Sequence, residues 1–346
     1  MKKINLLTIL SIISVLAIGS IFGYTKIVQA DNTLQINTTN TVKTAKILHF
    51  GDMMLDRNVK KRIDKFGADY PFKKLAENNF LEGYDVVTAN LEGPFANKRR
   101  ATSKSIAFRF DPKLIPTLQK YNFNLFTLAN NHSTDMSMAG FNESKANLKK
   151  AGLDFYGQQI KIDDTNLLVK QVGDFKIGFI GIDDTITKIN IPKVKKLIQK
   201  AKDNGAEIIL ANVHWGAEYK LISNTRQRQL GHTLIDAGVD IIVGHHPHVV
   251  EEMEIYKNHP IFYSLGNFVF DQYFSVPTQQ ELGVSLIITQ ENDQKNVSIT
   301  IYPLQSIQSQ ISQMNQKNKD KFFADWIKRS RLGDYKFENN NLKVSF

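Results

Sequence analysis

The 346-residue sequence contains no cysteine. A disulfide framework and a thiolate metal site are both excluded, so any metal must be held by His, Asp, Glu or Asn. The lack of cysteine does not fix the compartment, although it suits a chain exported without oxidative folding. No basic–aromatic motif of the kind that grips nucleic acid is present, so nucleic acid is not an expected partner. There is no internal repeat and no compositional break that marks a second domain. Charge is also missing between Ile4 and Tyr24, and this absence is itself a signal.

Lys2 and Lys3 precede that run, Lys26 follows it, and Val28-Gln29-Ala30 has the small-residue spacing of a signal-peptidase site. The run approaches the roughly 20 apolar residues that cross a bilayer. Residues 1–30 are therefore expected to be a cleaved signal or a membrane anchor with its basic end in the cytoplasm. Either places the remainder outside, on the cell membrane or secreted. Residues 31–44, DNTLQINTTNTVKT, read as a polar linker. Without the three lysines of residues 1–30, 41 basic residues face 34 acidic ones, a net +7. A moderately basic exterior favours anionic partners such as a polymer or a membrane surface.

With 42% hydrophobic and 23% charged residues, the chain has the composition of a globular protein with a sizeable core. From Ala45 onward, short apolar runs alternate with amphipathic segments, which predicts an α/β domain over 45–304. Five of the runs end in polar, ligand-capable residues. Ala45–Phe50 leads to Gly51-Asp52, and Asp85–Ala89 leads to Asn90-Leu91-Glu92. Asn124–Ala129 leads to Asn131-His132, Glu207–Ala211 to His214, and Val239–Gly244 to His245-His246-Pro247-His248. Open α/β sheets place their chemistry beyond the carboxyl ends of strands, so the five exits are expected to converge. The residue before a proline favours extended backbone, and in extended chain residues i and i+2 point the same way. His246 and His248 are thus expected to present two imidazoles to one point. Imidazoles with hard oxygen ligands suit Zn, Mn or Fe. Two such ions about 3.5–4 Å apart polarise a substrate oxygen and generate hydroxide.

Other residues offer weaker signals. Arg57 follows the Asp52 loop, where it is able to hold a substrate carboxylate bidentately. Glu218 is placed to orient His214, and Asn267, in a Gly266-Asn267 turn, is expected to line the site as a substrate-binding residue. Lys98, Arg99, Arg100 and Lys104 make a basic loop that faces an anionic substrate or solvent. His49 reads as a satisfied strand histidine. Beyond the histidines, Glu252–Tyr256, Pro260–Ser264, Gly283–Thr289 and Val297–Tyr302 read as a meander. Residues 305–346 read as a carboxy-terminal extension, with a Gln- and Ser-rich start unlike core and a helix near Lys319–Arg329.

Six motifs, Phe50-Gly51-Asp52-Met53-Met54, Asn90-Leu91-Glu92, Ala129-Asn130-Asn131-His132, His214-Trp215-Gly216-Ala217-Glu218, His245-His246-Pro247-His248-Val249 and Tyr263-Ser264-Leu265-Gly266-Asn267-Phe268, together resemble the bacterial capsule-synthesis CapA family, also called the poly-γ-glutamate biosynthesis family. That family lies in the calcineurin-like metallophosphatase superfamily. The resemblance implies a four-layer α/β/β/α sandwich and a centre of one or two divalent ions. It implies Asp52, Asn131, His214, His246 and His248 as metal ligands, Glu92 in place of a bridging Asp, and His132 as the acid that protonates a leaving group. It also implies a role in making, exporting or anchoring an anionic capsule polymer beside membrane synthase subunits, with binding of polymer carboxylates or hydrolysis or transfer of an amide. A secreted phosphomonoesterase or phosphodiesterase and a non-catalytic assembly partner are the alternatives. The superfamily's opening Asp-x-His is replaced by Asp52-Met53-Met54, and its Gly-Asp by Asn90-Leu91-Glu92, which predicts a first metal site that is weak or absent.

Overall fold

The computed structural model describes residues 42–291 and 294–346. The expected signal or anchor and nearly all of the expected linker lie outside these residues. Among the described residues, no helix is long and apolar enough to cross a membrane. The described chain begins with β1 (Lys43–Met53), α1 (Arg57–Phe66), β2 (Val86–Leu91), α2 (Ile115–Lys120), β3 (Phe123–Thr127), α3 (Ser137–Lys150) and β4 (Asp154–Tyr156). A hairpin of β5 (Leu167–Val172) and β6 (Phe175–Asp183) follows, then α4 (Ile191–Asp203), β7 (Ile208–His214), α5 (Thr225–Asp236) and β8 (Ile241–His245). Next come β9 (Met253–Tyr256), β10 (His259–Phe262), β11 (Asn267–Val269), β12 (Gln280–Glu291) and β13 (Gln294–Ile307). The chain closes with β14 (Gln310–Gln313), α6 (Gln316–Arg329) and β15 (Asn341–Ser345).

These strands form two sheets. The first has the order β14-β13-β12-β1-β2-β3-β4, with β11 beside β1 and β15 beside β13; the second runs β5-β6-β7-β8-β10-β9. Within them β1–β4 are mutually parallel, as are β6, β7, β8 and β10. Strand alternation sends Leu48 and Phe50 to one face of β1 and Ala45 and Ile47 to the other. Both sets are fully buried, which is why the run reads as continuously apolar. Leu48 and Phe50 pack with Val59, Ile63, Leu118 and Phe141 from α1–α3. Ala45 and Ile47 meet Phe175, Ile177 and Leu210 of the second sheet. On the far side of that sheet, Ile180 and Val213 pack against Val194, Leu197 and Leu234 of α4 and α5. The packing order is helices, sheet, sheet, helices.

The expected meander divides between the sheets. β9 and β10 pair with each other and with β8, whereas β12 and β13 extend the first sheet from β1. All four segments carry the same strand pattern, and nothing local records which sheet edge each one joins. The expected extension is also built into the fold. β14 and β15 pair with β13, and α6 buries Phe322 and Trp326 in the cluster between the sheets. Its polar start is partly core: Ser306 and Ser309 are buried, and Ser309 donates to the Phe270 carbonyl at 2.8 Å, while Gln305, Gln308 and Gln310 keep contact with solvent.

Candidate metal centre

Parallel register aligns the strand exits. Asp52 stands opposite Asn90 on β2 and Asn267 on β11, and Asp183, His214 and His245 form a row across β6, β7 and β8. The two rows face each other at the carboxyl edges of the two sheets. Asp52 is the meeting point. Its Oδ1 accepts a hydrogen bond from Asn90 Nδ2 at 2.8 Å and lies 3.3 Å from His245 Nδ1. Its Oδ2 accepts from the His246 backbone N–H at 3.1 Å and lies 3.5 Å from His248 Nδ1. Asp52 lies within β1 and not past its end, because the strand runs on to pair with β11.

His246 does not have the extended backbone expected before Pro247. Its φ is +97°, and that of His248 is +57°. Non-glycine residues seldom occupy this region, and where they do the surroundings must hold them there. Here the bond from His246 N–H to Asp52 does so. The two imidazoles still approach one point: with Glu218 they offer three ligand atoms within 4.8 Å of one another. Asp52, Glu92 and His214 form a second such group. Glu218, expected to orient His214, is thus grouped with His246 and His248, its carboxylate on the exposed side of the group.

The hydrogen-bond partners decide which imidazole nitrogens face the centre. Asn267 Nδ2 donates to the carbonyls of His248 and Thr278, so its Oδ1 accepts from His248 Nδ1 at 2.9 Å. That leaves the His248 Nε2 lone pair directed at Glu92, 3.6 Å from Oε1. Asn267, expected to bind substrate, is fully buried, and its side chain is taken up by His248, Thr278 and Gln272. Asn212 Nδ2 donates to His245 Nε2 at 2.9 Å, so the His245 Nδ1 proton faces Asp52. Asn131 Oδ1 and His214 Nε2 converge at 2.9 Å.

Burial disfavours the charged form of His214 and His246, and a neutral imidazole is what metal ligation requires. Burial holds His214 well below the usual histidine range, with help from His246, and lowers His246 to about 4, with help from His248. Burial alone would raise Asp52, but the imidazoles of His245 and His248 hold it well below the usual carboxylate range. Glu92 is pushed the other way, first by burial and then by Asp52 and other carboxylates. Both Glu92 oxygens are buried and lack a hydrogen-bond partner. An orphaned carboxylate beside a second carboxylate, with imidazole lone pairs aimed at it, is a donor set that fits a divalent cation.

His132 lies at the rim. Its Nδ1 is 2.6 Å from Asp135 Oδ2, and its Nε2 is 3.9 Å from Glu92 Oε1. Asp135 is fixed in turn by Lys104 Nζ at 2.6 Å and by the Phe108 N–H at 2.7 Å. The ring of Phe108 packs on His132 with centroids 4.3 Å apart, and that of Phe270 packs on His248 at 4.8 Å. Arg57 spans the two phenylalanines and pairs with the protein's own Asp271. The basic loop is likewise tied down: Arg99 pairs with Asp56, Arg100 with Glu143 and Lys104 with Asp135. His49 is fully buried, yet neither ring nitrogen has a partner, and burial lowers it to about 3.

Four residues at the centre escape the sequence reading. Asn90, Asp135 and His245 lie inside or beside the six motifs, but nothing local gives them a role. Asp183 ends β6 beside His214, with Oδ2 buried and unpartnered, and burial raises it to about 6. The apolar run Phe175–Ile182 followed by Asp183 is a sixth strand exit, and the rule that picks out the other five applies to it equally.

The family model for bacterial capsule synthesis protein PGA_cap matches residues 46–272. The chain is 34% identical over 244 residues to the capsule biosynthesis protein CapA of Bacillus anthracis, covering 64% of this chain and 59% of that one. It is 35% identical over 239 residues to the PGA biosynthesis protein CapA of Bacillus subtilis, covering 64% and 62%. The matched region thus spans about six tenths of each relative. A solved phosphatase structure from Mycoplasma pneumoniae shares the fold with a TM-score of 0.50 at 14% identity, covering 82% of this chain and 99% of that one. The chain belongs to the bacterial capsule synthesis protein family.

Proposed function

We propose that this protein is an extracytoplasmic metal-dependent hydrolase or transferase that acts on the amide backbone of an anionic, poly-γ-glutamate-like capsule polymer. In this reading it works beside membrane synthase subunits, held at the membrane by residues 1–30 or released from it. The observation that carries the proposal is the pairing of two ligand groups, Asp52-Glu92-His214 and Glu218-His246-His248, with an oriented acid at their edge. Asn131 Oδ1, converging on His214, completes the set.

One or two Mn, Fe or Zn ions held there would supply Lewis acidity toward a substrate carbonyl. The chain's own residues do the rest. Asp135 holds the Nδ1 proton of His132, so Nε2 is the atom that carries or delivers a proton at the centre. Phe108 and Phe270 wall this side. Asn267 fixes the ring of His248, and His245 and Asn90 fix Asp52. A leaving amine beside His132 Nε2 would take its proton from there.

The test combines metal content by elemental mass spectrometry with two activity assays, shortening of poly-γ-glutamate and hydrolysis of an aryl phosphate. About one or two metal equivalents, lost in His246→Ala/His248→Ala, with polymer shortening abolished by His132→Ala, support the proposal. Phosphate ester turnover alone would replace it with a phosphoesterase. A metal-loaded protein inert in both assays, whose capsule role survives His132→Ala in cells, would replace it with an assembly partner.

A further inference from the structure

An open groove of about 1090 Å³ lies beside α6, floored by Leu221, Ile222, Val276 and Ile307 and flanked by Lys321 and Lys328. Leu221, Ile222, Val276 and Ile307 are 40–68% exposed, an unusual amount of aliphatic surface to leave facing water in one place. We infer that this groove is the path of the polymer chain leaving the metal centre, a subsite for several consecutive repeats of a γ-linked polyglutamate. The inference rests on the function proposed above and names where its substrate lies.

Continuity with the centre is the first support. Glu218 belongs to a ligand group, Tyr219 stacks toward His248 with centroids 6.2 Å apart, and Leu221 and Ile222 already line the groove. Four residues of chain reach roughly 14 Å at most, so groove and centre share one wall. The opposite wall repeats the pattern. Phe274 packs edge-on against Tyr219 at 5.2 Å, and Val276, two residues on, lines the groove.

The wall is also built, not loose. Ser223 donates from its N–H and its hydroxyl to Glu252 at 2.9 and 2.6 Å, and Arg329 of α6 donates to the Leu221 carbonyl at 2.6 Å. Chemistry supplies the last support. A γ-glutamyl repeat offers two methylenes and one carboxylate, which suits an aliphatic floor with cations along its rim. Lys321 and Lys328 are exposed on one face of α6, with Asp325 the acid between them. Helix α6 as a whole carries Lys317, Lys319, Lys321, Lys328 and Arg329 against Asp320 and Asp325.

The experiment measures binding of γ-linked glutamate oligomers of two, six and twelve residues to the metal-loaded full chain, with Lys321→Glu/Lys328→Glu and Ile222→Glu variants alongside. The wild type is expected to hold the dodecamer at least tenfold more tightly than the dimer. Both variants should lose about tenfold for the dodecamer, a change of about 1.4 kcal/mol, with dimer affinity and metal content unchanged. Binding that does not depend on length, or that survives both variants, would overturn the groove and leave the proposed function standing. A metal-loaded wild type that binds no oligomer of any length would overturn both.

Discussion

Replacing Glu92 with Gln separates the metal-free protein from the metal-bound one, because the two states place opposite demands on this side chain. Ligand atoms of Asp52 and Glu92 lie within 4.8 Å. Two ionised carboxylates at that separation repel by about 3 kcal/mol at an effective dielectric near 20. Without a cation, Glu92 is also buried with both oxygens unpartnered, so a neutral amide of the same shape costs the fold little and relieves the crowding. With a cation, the carboxylate is a ligand and its loss is felt in full. Metal at one hundred times its dissociation constant stabilises the folded state by about 2.7 kcal/mol, or about 4 °C for a chain of this size. A hundredfold loss of affinity in Glu92→Gln reduces the gain at the same concentration to about 0.4 kcal/mol.

The assay is thermal unfolding of wild type and Glu92→Gln, each after chelation and each with added Mn, Fe or Zn. The metal-free variant should melt at or above the metal-free wild type, and the order should reverse once metal is present. Equal metal-induced shifts in the two proteins would refute Glu92 as a ligand. A metal-free variant several degrees below the wild type would refute the account of Glu92 as an uncompensated buried acid. A wild type whose midpoint ignores all three metals would refute the centre itself.

Three further outcomes follow from the same contacts. Asp135→Asn turns one of the two oxygens that accept from Lys104, the Phe108 N–H and His132 Nδ1 into a donor, so the His132 tautomer is no longer fixed and kcat should fall by about 10²–10⁴ with KM little changed; an unaltered kcat would remove His132 from the chemistry. Glu251 is raised to about 8, chiefly by burial. A carboxyl raised in the folded state stabilises below its unfolded pKa near 4.5 and loses that contribution as pH rises toward 8. The loss is at most about 5 kcal/mol. Glu251→Gln, which keeps the bond from Gln227, should narrow the stability difference between pH 5 and pH 9 in urea titrations. A Cβ added at Gly51 would lie 1.9 Å from the Gly266 carbonyl oxygen, so Gly51→Ala should cost about 1–3 kcal/mol and loosen the β1–β11 register that sets Asp52 beside Asn267; an unshifted urea midpoint would contradict this.

The site is legible wherever its residues announce themselves locally. An apolar run that stops at a carboxylate or histidine is visible in one dimension, and five such exits are enough to expect convergence. Partner choice is not visible. That Asn90 serves Asp52, or that Asn267 holds His248, depends on register between strands far apart in the chain. The backbone at His246 departs from expectation for a related reason. Proline disfavours the right-handed helical region for the residue before it, and the bond to Asp52, 194 positions away, then holds a positive φ that no local rule favours. The Met53-Met54 departure has a physical reading too. Both side chains are fully buried among the helix-side apolar residues, so they serve packing and offer the centre no imidazole, leaving Asp52, Glu92 and His214 as that ligand group.

Charge at the centre then sets a condition on any anionic substrate. The two ligand groups contain three carboxylates, Asp52, Glu92 and Glu218, and three imidazoles. With the imidazoles neutral, one divalent ion leaves the ionised set at −1 and two bring it to +1. The nearby cations do not alter that balance, since Arg57 is paired with Asp271 and Lys104 with Asp135. Bound metal and the lysines of α6 are then two sources of attraction for a polycarboxylate, beside exposed cations such as Lys220. Chelation should accordingly weaken short γ-glutamate oligomers more than long ones, because long ones keep their grip on Lys321 and Lys328. Isothermal titration before and after chelation measures this directly. Equal weakening at every length would mean that α6 contributes nothing and that the centre alone holds the chain.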